Sequence, residues 1–435
     1  MKILACCGIL AGCVFAESLT WESLLASVEK DPVLQASQRK MSALGDGSGT
    51  RLLDDLEFEY TLDGFGFLEH DFELKIKPKA FGEGKASDAY LKSQTDYQKL
   101  HISKDRATIL YERYEHALRY VKRQQIQSLH KELAQVAADR IEVLQALQGT
   151  ETFRLQDLVT ALESQATLAA KIIADSNALK DSRLKLLSWV EGFDGVSLDT
   201  NFLPTISEVK SIVESLPRDA EKFDDVAIAK AKWKLSEKRA EQEIAEDRNF
   251  ISKIGIGYKY VYAKYKYKWV TTSCTGVKCT EEWQLQRSDD DRRTQDKFYA
   301  SVAIRLPFFS NGGTSGLRRQ IDVLENERDY QAEKRDRQQK VERYREEILG
   351  LMAEREVQER FVEQVDQGAL FEDFAVKAGN DPLLLLRARE SALESRLKIV
   401  QLDSEIFTVY LDMLYETGVL ARTDVENHLK AGAGK

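Results

Sequence analysis

Five cysteines and five histidines are the residues of this chain that could carry redox or metal chemistry, and their spacing gives them little of it. Cys6, Cys7 and Cys13 fall near the N-terminus. Cys274 and Cys279 stand in Thr-Ser-Cys-Thr-Gly-Val-Lys-Cys-Thr, a spacing that suits a local disulfide across a turn in an exported protein. The other use of such a pair, half of a metal site, needs further ligands, and no histidine stands nearby. His70, His101, His116, His130 and His428 are scattered and form no ligand set. The chain holds no Gly-Lys-Ser/Thr phosphate loop, no His-Glu-x-x-His and no serine or cysteine nucleophile motif. The expectation is therefore a protein that is not an enzyme, with no catalytic residues, no metal and no cofactor.

The elements around these residues must then carry the function. The chain has 435 residues, 43% hydrophobic and 31% charged, enough apolar material for a sizeable core. A net charge of −9 argues against nucleic acid as a partner. The charges are mixed along the chain and read as solvated helix faces. Residues 1–16 read as an export signal: Lys2, an apolar Ile3–Leu10 stretch, then Val14-Phe15-Ala16 before Glu17. Leu10-Ala11-Gly12-Cys13 overlaps it as a lipobox, with Cys13 the lipidation candidate, so cleavage after Ala16 and cleavage before Cys13 both stand. No run of about 18 apolar residues exists that would make a transmembrane helix.

Landmarks recur twice. Ile76-Lys77-Pro78-Lys79-Ala80-Phe81-Gly82 and Ile304-Arg305-Leu306-Pro307-Phe308-Phe309-Ser310-Asn311-Gly312 each end an alternating stretch and open a long helical pattern. A break follows 71 residues after Pro78, at Gly149, and 72 residues after Pro307, at Gly379. The helical pattern resumes and closes near Gly192 and Gly418. Agreement at four landmarks predicts two copies of one unit.

Within each copy, apolar positions step by three and four. Leu155, Leu158, Leu162, Ala169, Ile172, Ser176, Leu179, Leu186 and Val190 form such a stripe, and so do Leu393, Leu397, Val400, Ser404, Phe407, Leu411 and Leu414. The outgoing helices carry Ala107, Leu110, Tyr114, Ala117 and Val121, and Val341, Tyr344, Ile348 and Leu351. A helix of roughly 65 residues spans about 100 Å, more than a compact domain, so each copy is expected to send a helix out, turn at its glycine and return.

Strands lie at the other end of each copy. Leu56, Phe58, Tyr60 and Leu62 alternate with polar residues, as do Phe72, Leu74 and Ile76. Ile254, Ile256, Tyr258, Tyr260 and Tyr262 share a face, and their partner strand carries Phe298, Ala300, Val302, Ile304 and Leu306. Period-two strands of about ten residues suit a transmembrane barrel, and they also suit two soluble hairpins capping a coiled coil. Tyr258 through Trp269 read as an interfacial aromatic girdle. The stretch from Val270 to Lys297, polar and holding the cysteine pair, reads as an external loop.

On these residues the chain resembles the TolC-like outer-membrane efflux proteins, the outer membrane factors. Leu19-Thr20-Trp21-Glu22-Ser23-Leu24-Leu25 with Asp31-Pro32-Val33-Leu34 is similar to that family's opening stretch. Ala303 through Gly313 is similar to its strand-to-helix signature. The resemblance implies a mainly α fold with β: two helix–strand–strand–helix repeats, four strands per chain in an oligomeric β-barrel, and a long α-helical periplasmic tunnel. It implies a homotrimer in outer-membrane lipid, working with a periplasmic adaptor and an inner-membrane pump as a passive exit duct for efflux or type I secretion. The repeats are expected at 17–203, with a tip near 149, and 204–421, with a tip near 379. A tail follows at 422–435.

Two departures stand out. The family's tips often carry an arginine where the adaptor docks, whereas here Gly149 and Thr150, and Gly379, Asn380 and Asp381, keep only the glycines. Leu383–Leu386 occupy the stretch of the family's gating aspartates. Asp366, Glu372 and Asp373 are the acidic residues near a possible constriction, and solvated helix-end carboxylates are the other reading of them. A periplasmic coiled-coil structural or adaptor protein with no pore is the alternative function.

Overall fold

A computed structural model describes residues 17–45, 53–63, 69–150, 153–190, 192–216, 219–249, 251–261, 265–275, 278–287, 295–304, 312–366, 382–423 and 425–430. The export signal with Cys13 and the Pro307–Asn311 string lie outside them. By its contacts the chain divides into two compact units. One takes the chain up to Met41, Gln98–Lys230 and the chain from Asp329 onward; the other takes Ser42–Tyr97 and Ala231–Arg328. The units therefore each draw on both sequence repeats.

The second unit is built on strands. β2 (Leu53–Asp63), β3 (Glu69–Pro78), β5 (Ile251–Val261) and β8 (Gln295–Ile304) form one four-stranded antiparallel sheet in the order β2-β3-β5-β8. The alternation of apolar and polar side chains, with β-branched and aromatic residues on one face, is what a pleated sheet with two different surroundings requires. β6 (Tyr265–Thr275) and β7 (Lys278–Arg287) pair separately as an antiparallel hairpin. That corrects one expectation. The stretch after Val270 is largely strand, not loop, since Val270–Thr275 and Lys278–Glu282 pair with each other in antiparallel register. Tyr265, Tyr267 and Trp269 of the aromatic run belong to a different sheet from Tyr258 and Tyr260.

Helices make the first unit, and three of the longer ones run on into the second, which takes Glu83–Tyr97, Ala231–Asp247 and Gly312–Arg328. α3 (Glu83–Ala146) holds neither glycine nor proline between Lys85 and Ala146, so nothing interrupts its hydrogen-bond ladder. α4 (Leu155–Leu187), α7 (Gly312–Asp366) and α8 (Pro382–Glu416) are the other long helices. Gly192 and Gly418, equivalent positions in the two repeats, both adopt positive φ (90° and 75°), the conformation that ends a helix at least cost for glycine. Leu133, Val136 and Ala137 of α3 pack with Leu168 of α4 and Leu393 of α8. Further along, Ile141 and Leu144 pack with Leu158 and Ala161.

The α4 stripe differs from expectation. Leu158 and Leu186 are buried, but Leu155 and Leu162 are exposed, and Ala161, Leu168 and Ser182 are buried instead. A straight helix of 3.6 residues per turn drifts off a strict seven-residue pattern, so one stripe cannot stay against the same neighbours over 33 residues.

Short elements missed at the sequence level close this unit. β1 (Glu17–Leu19) pairs in parallel with β4 (Phe193–Val196). α1 (Trp21–Ala26) follows β1 and α2 is Pro32–Gly45, while α5 (Ile206–Ser215) and α6 (Asp224–Asp247) come after β4. Capping boxes start α1 at Thr20 with Ser23 and α5 at Thr205 with Glu208. The Trp21 indole stacks on Phe202 at 4.7 Å and donates to the Asp199 carbonyl at 2.9 Å. Arg113, buried, bonds Asp31 at 2.9 Å and lies 3.9 Å over the Trp189 ring.

Candidate functional site

The strand register sorts the sheet into two faces. One face carries cross-strand rows: Leu56–Ile76–Ile254–Val302, then Phe58–Leu74–Ile256–Ala300, then Tyr60–Phe72–Tyr258–Phe298. All are apolar or aromatic, and most stay uncovered: Phe58 is 66% exposed, Ile256 56% and Phe298 83%, while Ile76, Ile254 and Tyr258 are half-buried. The Tyr60 and Phe72 rings lie 4.8 Å apart, and Tyr258 and Phe298 also 4.8 Å, so the aromatic row continues across the sheet. The next row, Leu62–His70–Tyr260–Asp296, turns polar, with the Tyr60 hydroxyl 2.8 Å from His70 Nδ1. An apolar band edged by aromatics and then polar groups matches a hydrocarbon layer and its interface.

The opposite face is charged and internally bonded. Lys75 pairs with Glu59 and lies 3.5 Å from Glu73; Lys253 bonds Glu57 at 3.0 Å; Lys77 pairs with Asp54. The Tyr299 hydroxyl donates to Asp71 at 2.7 Å and the Ser301 hydroxyl to Glu73 at 3.1 Å. β2 and β8 each pair on one side only, leaving two long edges with open backbone donors and acceptors.

At the first helix tip, α3 ends at Ala146 and Gly149 turns the chain at φ +92°. The Thr150 amide and hydroxyl both bond the Leu147 carbonyl, at 3.1 and 2.7 Å. Gly379, Asn380, Asp381, Glu372 and Asp373 lie outside the described residues. Asp366 is the last residue of α7, and its side chain also lies outside them. Cys274 and Cys279 stand directly opposite each other in the β6–β7 register. Among the described residues no group of three His, Cys, Asp or Glu could hold a metal, and no helix is long and apolar enough to cross a membrane.

The helical unit buries charges that were expected to be solvated. Asp225 takes Lys104 and lies 3.1 Å from Arg337, while Glu416, 6% exposed, takes Arg337 and Lys340. The cluster joins α3, α6, α7 and α8. Beside it, burial and then the Asp225 charge push the Asp224 carboxyl up to about 6. Tyr111 donates to Asp412 at 2.6 Å; burial, then this bond, raises the phenol above its ordinary range, and burial raises Asp412. Burial lowers His101 and His116. No sequence signal marks these pairs, because the partners lie far apart along the chain and each sits among ordinary helix-face charges.

No protein-family model matches the chain, and no curated protein sequence does. Solved structures do. The outer membrane protein VceC of Vibrio cholerae aligns over 91% of this chain and 95% of its own, at 14% identity and a TM-score of 0.60. CusC, whose structures concern transmembrane channel formation, aligns over 91% of both chains at 9% identity and 0.59. The MtrE outer membrane channel of Neisseria gonorrhoeae aligns over 91% and 88% at 12% identity and 0.55. With its paired repeats of long helices and its unclosed four-stranded sheet, the chain has the TolC-like fold of the outer-membrane channel proteins.

Proposed function

We propose that the protein is one subunit of an outer-membrane channel, the passive exit duct of a tripartite efflux pump or a type I secretion system. The observation that carries this is the sheet. An exposed apolar band with an aromatic margin, on a chain whose described helices cannot span a bilayer, is suited to lipid contact. Its two open edges cannot remain unpaired in hydrocarbon, and four strands cannot close a barrel. Copies must therefore join edge to edge, and a homotrimer of twelve strands is the assembly the resemblance implies.

In this reading the apolar face meets lipid and the charged face lines the passage. The helix tips at Gly149–Thr150 and Gly379–Asp381 face a periplasmic adaptor, and Asp366, Glu372 and Asp373 stand near the constriction. Cys274 and Cys279 form a disulfide that staples the external β6–β7 hairpin, and residues 1–16 direct export. Chemical energy comes from the inner-membrane pump. A pore-free periplasmic protein would have no use for the exposed band. Purified oligomer in a planar bilayer is expected to give stepwise currents; a protein recovered wholly in the soluble periplasmic fraction, with no conductance, would overturn the reading.

A further inference from the structure

Two glycines interrupt the charged face of the sheet, Gly255 and Gly257 on β5. Each leaves a notch that a neighbouring side chain fills. A Cβ on Gly257 would lie 2.6 Å from Tyr299 Cε1 and closer still to Cζ, so the hydroxyl end of the phenol ring occupies the space over that glycine. A Cβ on Gly255 would collide with the Glu73 carboxylate and the Ser301 hydroxyl. The Tyr299 ring is fixed at its far end by the hydrogen bond to Asp71, 2.7 Å away on β3. It thus crosses β5 sideways, held against the wall, and does not stand upright from it. Glu73 and Ser301 fill the space on one side of the notch, and Lys259 and Lys297 form the next row on the other. A ring displaced from Gly257 has only one free direction, away from the sheet.

We propose that the Gly257 notch and the Asp71 bond keep Tyr299 stowed against the sheet and so keep the strand-lined passage open to bulky solutes at that level. Gly257 is the determining position, the notch that stows Tyr299; Tyr299 is the side chain that narrows the passage once the notch is filled, and Asp71 is the positioning residue. The proposal rests on the reading of the charged face as the passage lining. Every copy in the assembly repeats the device at the same height, so a small displacement per chain narrows the opening from all sides.

The test uses the full-length assembled protein in intact cells and a bulky hydrophilic maleimide added outside. Ala303→Cys, on the charged face about 13 Å further along β8 than Tyr299, is the target, read by mass spectrometry of its own peptide. Val302→Cys on the apolar face is the control. Labelling of Ala303→Cys is expected to slow about fivefold when Gly257→Ala is added, and to recover when Tyr299→Ala is added as well. Tyr299→Ala alone, which does not depend on Gly257→Ala folding, is expected to change the rate by less than about twofold. An unchanged rate with Gly257→Ala, or a rise of about fivefold with Tyr299→Ala alone, would overturn the proposal while leaving the channel reading intact. Labelling of Val302→Cys as fast as Ala303→Cys would instead overturn the lining assignment, and the proposal with it.

Discussion

The strand unit and the helical unit handle apolar surface in opposite ways. The helical unit buries it: Tyr114, Tyr410, Leu402 and Ile406 are fully enclosed, and even its Trp21 is 3% exposed. The sheet leaves comparable residues bare, with Phe298 at 83%. Among the described residues none covers this face of the sheet, which leaves its burial to a second medium or a second copy. The same contrast holds for charge. In the helical unit Glu416 and Arg113 are enclosed and paired, whereas the sheet's ion pairs stay accessible on one face. One unit is organised around water outside and protein inside; the other presents one apolar face and one charged face, which in the proposed reading meet lipid and water.

The largest test of this contrast sets one aromatic against another. Trp21→Ala removes the stacking on Phe202 and the bond to the Asp199 carbonyl, and it should cost about 3–5 kcal/mol in denaturant unfolding. Phe298→Ala in the same detergent-purified protein should cost less than about 1 kcal/mol, because little of that ring is covered by the chain. Equal costs would mean that the two units are not built on different principles.

Next comes the identity of the second medium. Ile256→Lys places a charge in the middle row of the apolar band and should destabilise the bilayer-inserted protein by about 2–4 kcal/mol. The measurement is folding into lipid vesicles, followed by the shift of the folded band on gels. Unimpaired insertion of Ile256→Lys would show that this band does not sit in hydrocarbon.

Acidity probes the helical unit alone. The folded-state value of Asp224 is about 6, above the ordinary aspartate value of 3.8. The folded protein therefore binds this proton more tightly than the unfolded chain, so stability is gained as the pH falls through about 6 and is lost as it rises. Asp224→Asn, which stays neutral, should stabilise the protein by about 1–3 kcal/mol at neutral pH, by less as the pH falls below about 6, and by little below the ordinary aspartate value of 3.8. The checking measurement is the melting temperature against pH for both proteins. A constant difference would assign the effect to packing beside Gly418 instead of charge.

Much of the architecture could be read from the residues because it is periodic. The two-residue alternation of Leu56, Phe58, Tyr60 and Leu62 fixes which face is apolar without any partner strand in view. The absence of glycine and proline along α3 fixes its length. What the sequence concealed has no local signature. The parallel β1–β4 pair joins segments more than 170 residues apart, and Arg337 meets Glu416 and Asp225 only because four helices converge. The sheet's second notable feature, Tyr299 over Gly257, was equally hidden: a glycine in a strand signals that something approaches it closely, but not which residue.

α4 shows where periodic reading fails, and it supplies the smallest effect. Its apolar residues were expected to form one packed stripe including Leu155 and Leu162, yet the chain's own neighbours cover Ala161 and Leu168 and leave Leu155 66% exposed. Apolar spacing states that a helix has something to bury; it does not state against what. If Leu155 faces water in the assembled protein, Leu155→Ala should change stability by less than about 0.5 kcal/mol in both the dissociated chain and the oligomer. If another copy covers it, the cost should appear only in the oligomer and should grow with subunit concentration. Thermal unfolding at several protein concentrations separates these outcomes. A cost in the dissociated chain alone would contradict the exposed placement and return Leu155 to the core stripe that the sequence suggests.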